Sequence, residues 1–417
     1  MVISPKRFGI LVAGGPAPGI NSVIGAATIR ALIDGHEVVG IRDGFSWLMQ
    51  GDLEHVENLT AKRVSHIHFR GGSDLGISRA NPTKDVAKLD TVLDSLERLN
   101  VDKLITIGGD DTAFSAYSLE KRGQGRVKVA HVPKTIDNDL DLPPDVPTFG
   151  FQTARHLGVE LVRNLAVDAK TTSRWYIVVA MGRKAGHLAL GIGKGAAATL
   201  TIIGEEFAGQ TLTLDFLVDT LVASIVKRLA EGSPHGVAVL AEGLVELFAE
   251  ADLEKMGHVV RDAHGHIRIA EIPFADVLKA KVEEELGRLG VSMTLVGKNI
   301  GYELRCADPI PFDVEYCKDL GFGAAEALLD EKSGVLVSLH EGTLKTIPFG
   351  EIMDPTTGRM RVRMVDTTSD RYRIGKAFTV KLRKRDLEHE ATVARMAEIV
   401  KLTPAAFCER FARVAAD

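Results

Sequence analysis

The sequence predicts an α/β protein of two three-layer αβα lobes with mainly parallel sheets. Three observations carry that expectation. Short apolar runs alternate with helical patterns from the start: FGILVA, a helix from about Asn21 to Asp34, then EVVGI. The alternation continues through KLITIG, VKVAHV, WYIVVAM, TLTIIG, GVAVLAEG and VLVSL, none of which shows the regular polar alternation of a half-solvated strand. Both faces of such strands are expected to be buried beneath helices. The length of 417 residues leaves room for two cores of ordinary size.

Each element has a local reason. FGILVA is too short an apolar run for a signal peptide and is expected to be the first buried strand. DFLVDTLVASIVKRLAEG spaces its apolar residues at helical intervals, places basic residues near its end and stops at Gly232. In DLPPDVPTFG, three prolines within five positions forbid regular structure, and a boundary between lobes is expected there. Beyond Asp354 the chain becomes charged and short of core-like strands, as expected for an arm or hairpin packed on one lobe.

Composition narrows the function. A formal net charge of −5 provides no general field for nucleic acid or an anionic membrane, so a phosphate ligand must be met by local arginines and lysines. No apolar run approaches the length of a membrane span. Cys306, Cys317 and Cys408 show no CxxC spacing, which fits neither a disulfide framework nor a zinc cluster and points to a reducing cytoplasm.

Four stretches suggest chemistry. GGPAPGIN (Gly14 to Asn21) joins the first strand to the first helix, where free backbone N–H groups can meet a ligand or a tight turn can stand alone. It is not a Walker A loop and lacks GxGxxG spacing. GGSDLGISRANP sets Arg79 in a polar loop, either solvated or offered to a phosphate. IGGDDT puts Asp110 directly after paired glycines, where a carboxylate can reach magnesium or simply face solvent. PKTIDNDL gathers Lys134, Asp137 and Asp139 at the end of a predicted strand, either as a solvated turn or as a reactive one; an acid there can take a proton from an attacking hydroxyl, and an ammonium can offset charge developing on a phosphoryl group.

GGPAPGIN, GGDDT, PKTIDND, MGRKAG and GYELR together resemble the phosphofructokinase family in order and approximate spacing, over residues from about 14 to 305. GGDDT and PKTIDND are similar to its pyrophosphate-dependent branch, whereas ATP-dependent members typically carry GGDGS or GGDGT. The resemblance implies reversible, magnesium-dependent phosphoryl transfer from pyrophosphate to the 1-hydroxyl of fructose 6-phosphate. It implies that Asp110 binds the metal, that Asp111 fills the space of an ATP α-phosphate, that Lys134 stabilises the transition state and that Asp137 is the base, flanked by Thr135 and Asp139. Gly15 and Arg79 then contact the phosphoryl donor, while Met181, Gly182, Arg183 and Glu242 contact the sugar. Tyr302 and Arg305 meet the 6-phosphate. Arg174 is implied to enter a neighbouring subunit's site, and hence a homodimer or larger assembly is expected.

The same resemblance implies a donor lobe of residues 1–150 plus about 305–353. The sugar-phosphate lobe is then 151–304 plus about 354–417, including a C-terminal extension. Two departures from ATP-dependent bacterial members are Pro16, where those often carry aspartate, and Tyr302, where they carry histidine. An ATP-dependent kinase and a non-catalytic sugar-phosphate sensor are the alternatives; a sensor needs neither base, metal acid nor lysine.

Overall fold

The computed structural model describes residues 7–143, 145–256, 272–354 and 360–416. The chain divides into two compact units. One comprises the residues up to Ala154 together with Tyr302–Arg363; the other comprises Arg155–Gly301 and the residues from Met364 onward. Strands are numbered along the chain, as are helices of eight or more residues.

The first unit is built on seven strands: β1 (Arg7–Val12), β2 (Glu37–Ile41), β3 (Val56–Leu59), β4 (Val101–Gly108), β5 (Lys128–Pro133), β10 (Val335–His340) and β11 (Thr343–Pro348). Their order is β11-β10-β5-β4-β1-β2-β3. The pairs among β2, β1, β4, β5 and β10 are parallel, while β3 and β11 add antiparallel edges. In β1, β4 and β5 nearly every residue is buried, as their continuous apolar runs require.

Helices α1 (Ile20–Ile33), α2 (Val86–Arg98) and α3 (Asp110–Gly123) connect these strands. The chain steps from β1 to β2 in one direction, then returns past β1 to β4 and β5 in the other. Right-handed crossovers therefore place α1 on one face and α2 and α3 on the opposite face. Such a reversal beside β1 is where open α/β sheets hold ligands, beyond the carboxyl ends of the strands.

The second unit has a parallel sheet of β6 (Trp175–Ala180), β7 (Leu200–Ile202), β8 (Gly236–Ala241) and β9 (Leu295–Ile300), in the order β7-β8-β6-β9. Helix α4 (Phe151–Thr172) leads into it, with the division between units after Ala154. Helices α5 (His187–Gly195), α6 (Leu214–Ala230) and α7 (Phe274–Arg288) follow, α6 running close to its predicted span. Its core also takes Val393 and Met396 from α10 (Glu390–Ile399) and Phe407 and Phe411 from α11 (Pro404–Phe411), so the C-terminal segment is structural to this unit.

The charged stretch after Asp354 divides in two. Residues 355–359 lie outside the described residues; Met353 and Met360 form an antiparallel bridge, and Val362 bridges Leu140. Helices α8 (Pro311–Leu329), in the first unit, and α9 (Asp370–Ala377), in the second, complete the numbering.

Candidate active site

Strand register brings three of the sequence motifs together. Val12 pairs with Ile107 across β1 and β4, and Gly108 pairs with Pro133 across β4 and β5. The chain therefore leaves all three strands at the same edge, and GGPAPGIN, GGDDT and PKTIDND emerge side by side. Two backbone hydrogen bonds extend the alignment into the turns: Ala13 N donates to Ile107 O at 3.0 Å, and Lys134 N to Gly108 O at 2.8 Å.

Gly108 O has a second donor. His131 is fully buried beneath the turn, and burial pushes its pKa down to about 3, so it is neutral. Its Nε2 lies 3.1 Å from Gly108 O and its Nδ1 2.8 Å from Thr106 Oγ1. A carbonyl can only accept, so Nε2 carries the proton and Nδ1 accepts from Thr106. The ring thus pins the start of the GGDDT turn from below.

Asp110 and Asp111 occupy the first turn of α3, where carboxylates suit the helix dipole. Asp111 N donates to Asp110 Oδ1 at 2.9 Å, which orients the half-buried Asp110, while Asp111 is exposed. Lys134 is buried, at 4% exposure, and its Nζ donates to Gly15 O. Burial pushes its pKa down to about 8, helped by Arg305 and, less, by Arg79, against the opposing pull of Asp137 and Asp110. Lys134, Arg305, Asp137, Asp110 and Arg79 therefore share one electrostatic neighbourhood. Gly15 sits inside it: a Cβ there would come within 3.1 Å of Arg305 Nη1.

The flanking loops are held by side chains. Buried Asn21 accepts from Asp74 N at 2.8 Å and donates to Arg70 O at 3.0 Å, fixing the loop that carries the exposed Arg79. Asp137 N donates to Thr135 Oγ1 at 3.0 Å, and Arg363 N to Asp139 O at 2.8 Å. Arg305 stacks on the exposed Tyr302 ring at 4.6 Å, and its buried Nε has no hydrogen-bond partner among the described residues.

In the second unit, Ala180 aligns with Ala241 and Ile300, so the turns after β6 and β8 also emerge together. Met181, Gly182 and Arg183 form the first turn and Glu242 begins the second. Gly182 takes φ +142°, which a side chain would resist, and its N donates to Glu242 Oε2 at 3.4 Å. Arg183 Nε meets Glu246 Oε1 at 2.8 Å. The buried Glu205 accepts from Gly186 N and Val365 N, both at 2.9 Å, tying the MGRKAG turn to the C-terminal segment.

Arg174 stands apart from this group. It precedes β6, and six strand residues, about 20 Å at the usual rise, separate it from Met181. Its Nε lies 3.7 Å from Asp168 Oδ2, to which Tyr176 also donates at 2.5 Å.

The phosphofructokinase family model matches residues 7–328, so the chain belongs to the phosphofructokinase family. Within it, the chain is 48% identical over 411 residues to the pyrophosphate–fructose 6-phosphate 1-phosphotransferase of Thermotoga maritima, covering 97% of this chain and 98% of that one. It is 45% identical over 422 residues to the enzyme of the same name from Naegleria fowleri, covering 98% and 97%. A solved pyrophosphate-dependent phosphofructokinase from Nitrosospira multiformis shares the fold, with a TM-score of 0.67 at 15% identity over 95% of this chain and 92% of that one.

His131, Thr148, Glu205 and Arg363 brace the site from outside its sequence motifs. A histidine inside the apolar run VKVAHV was the one local signal among them; the others act through partners distant in sequence.

Proposed function

We infer that this chain transfers a phosphoryl group from pyrophosphate to the 1-hydroxyl of fructose 6-phosphate, reversibly and with magnesium, giving fructose 1,6-bisphosphate and phosphate. The observation that carries this reading is the buried Lys134 ammonium at Gly15, flanked by Asp110, Asp137, Arg79 and Arg305. Such a cluster suits a donor that is itself a compact polyanion.

In the reaction, the sugar's O1 forms a bond to one phosphorus of pyrophosphate while that phosphorus parts from the bridging oxygen. Asp137 takes the hydroxyl proton as the new bond forms. Lys134 offsets the charge arriving on the departing phosphate. Gly15 and Arg79 hold the donor, and Asp111 occupies the place an ATP α-phosphate would need, repelling it by charge as well as by bulk.

The donor set fits magnesium. That ion commonly takes one or two carboxylates and completes its shell with water and phosphate oxygens. No three acidic, histidine or cysteine side chains form a metal cage among the described residues, and a site shared with the donor needs none. Asp110 would hold the ion, which when bound neutralises charge on the donor's oxygens.

For the acceptor, Thr135, Asp139, Met181, Gly182, Arg183 and Glu242 are assigned to the sugar, and Tyr302 and Arg305 to its 6-phosphate. The Arg305 Nε, which has no hydrogen-bond partner among the described residues, supports that last assignment. The strand between Arg174 and the Met181 turn favours Arg174 serving a neighbouring subunit, hence a homodimer or larger assembly, working in the cytoplasm on soluble substrates. Among the described residues no helix is long and apolar enough to cross a membrane.

The test is a coupled assay with fructose 6-phosphate and either pyrophosphate or ATP as sole donor, with magnesium and then with chelator. Turnover with pyrophosphate that chelation abolishes is expected. Turnover with ATP alone, or none with either, overturns the reading.

A further inference from the structure

We propose that Arg363 is a positioning residue for phosphoryl transfer, setting the backbone of the loop that carries Lys134, Thr135 and Asp137. The proposal rests on the assignment of that loop to catalysis. It also provides a task for the charged segment after Asp354, which neither the fold pattern nor the proposed chemistry uses.

Asn138 directly follows Asp137, is buried, and takes φ +57°, a left-handed conformation uncommon for residues other than glycine. The direction of the chain through Asn138 determines where the Asp137 side chain points. Thr148 holds this turn with two hydrogen bonds. Thr148 N donates to Asn138 Oδ1 at 3.0 Å, and Thr148 Oγ1 donates to Thr135 O at 2.7 Å.

Arg363 supplies the remainder. Its Nη2 donates to Asn138 Oδ1 at 2.6 Å, its Nε and Nη2 both reach Asn138 O at 3.3 Å, and its Nη1 donates to Val146 O at 2.9 Å. One planar fork thereby joins the two ends of the loop, at Asn138 and Val146. The backbone of the same segment runs antiparallel to the loop: Arg363 N donates to Asp139 O at 2.8 Å, Asp141 N to Arg361 O at 3.3 Å, and Val362 bridges Leu140. Arg361 Nε adds an ion pair to Asp141 at 2.8 Å.

All three guanidinium nitrogens are committed to backbone and amide oxygens of the loop, so the side chain acts on the reaction through loop geometry. Lysine keeps the charge but lacks the fork, and cannot reproduce contacts to three separate acceptors. Losing the brace is therefore expected to displace the base and, through Thr135 and Asp139 on the same loop, to weaken sugar binding to a smaller degree. A misplacement of about 1 Å can cost about a hundredfold in rate.

Full-length Arg363→Lys and Arg363→Met are compared with wild type, using whichever donor wild type turns over, together with amide hydrogen exchange. Both variants are expected to lose about 10- to 100-fold in kcat with KM for fructose 6-phosphate within about threefold, as for a displaced base. Exchange should quicken in peptides covering residues 133–141 and stay unchanged in those covering β1 and α1. A kcat within twofold of wild type overturns the proposal. So does unaltered exchange in residues 133–141, or faster exchange throughout the chain, which would mark a general structural role. If wild type proves to use only ATP, the reading of the donor fails while Arg363 is still tested with ATP; if it uses neither donor, the exchange pattern decides.

Discussion

Lys134 supplies the sharpest test of the donor chemistry, because its environment works against its charge. A fall from 10.5 to about 8 in the folded chain corresponds to about 3 kcal/mol disfavouring the ammonium, at 1.36 kcal/mol per pKa unit. The group is 4% exposed, so solvent screening removes little of that penalty. The free enzyme should therefore lose the ammonium as pH rises through about 8, and kcat/KM for pyrophosphate should fall with it. A bound polyanion favours the charged form, so the corresponding limb in kcat should lie at higher pH.

The perturbation is Lys134→Met, which keeps bulk and removes charge. We expect kcat/KM for pyrophosphate to drop by about two to three orders of magnitude at neutral pH, as for loss of one preorganised electrostatic contact. The ratio of wild-type to variant kcat/KM should then shrink steadily above pH 8; the donor's own ionisation is common to both proteins and cancels in that ratio. Stability has its own sign. Between about pH 8 and the ordinary lysine value of about 10.4, the unfolded chain holds this proton and the folded chain does not. Lys134 therefore adds stability as pH rises across that window, a slope that the methionine variant should lack in denaturant titrations. A ratio independent of pH from 7 to 9.5, or an unchanged kcat/KM, refutes the assignment.

Asp111→Gly removes a charge that would lie about 4 Å from an α-phosphate, worth about 1 kcal/mol at a water-like dielectric and about 4 near a protein surface. Because Asp111 is exposed, the lower part of that range, about 1–2 kcal/mol, applies; the ratio of kcat/KM for ATP to that for pyrophosphate should rise by about 5- to 30-fold, and a ratio that does not move shows that Asp111 does not select the donor. Arg174→Ala and Asp137→Ala proteins, each nearly inactive alone, should regain activity when mixed and allowed to exchange subunits; proven exchange without recovery excludes action of Arg174 across subunits on an Asp137 site. Asp313, with no exposed surface, accepts from Gly150 N at 2.9 Å and Thr153 N at 2.7 Å at the start of α4. Asp313→Ala leaves both donors buried and unpaired and should destabilise the first unit by about 2–4 kcal/mol, read as a lower denaturation midpoint at unchanged slope; a midpoint equal to wild type would show that water replaces the carboxylate.

Legibility in the sequence followed burial. The strands visible as apolar runs include the central ones, β1, β4, β5, β6 and β8, whose two covered faces favour hydrophobic residues at most positions. The strands passed over, β3, β9 and β11, are all edges. VENL, LVGKNI and TLKTIP carry polar residues and keep much of their surface in water, so they offer no continuous apolar signal. Likewise the motif loops were readable because glycines, acids and a lysine at strand ends are locally unusual. Thr148, Glu205 and Arg363 were not, because a polar side chain that braces a backbone has an ordinary local sequence; His131 stood out only as a histidine within an apolar run.

By itself, then, the sequence determined the class, the buried strands and the residue types available for phosphoryl transfer, since hydrophobic periodicity and turn chemistry are properties of neighbours along the chain. The tertiary structure decided which of those residues meet. Parallel register across β1, β4 and β5 placed Gly15, Asp110 and Lys134 at one edge, though more than a hundred residues separate the first from the last. It also set Arg363 against Asn138 across 225 positions. Register and long-range bracing depend on how whole elements bury their faces together, and that information resides in no single stretch of the chain.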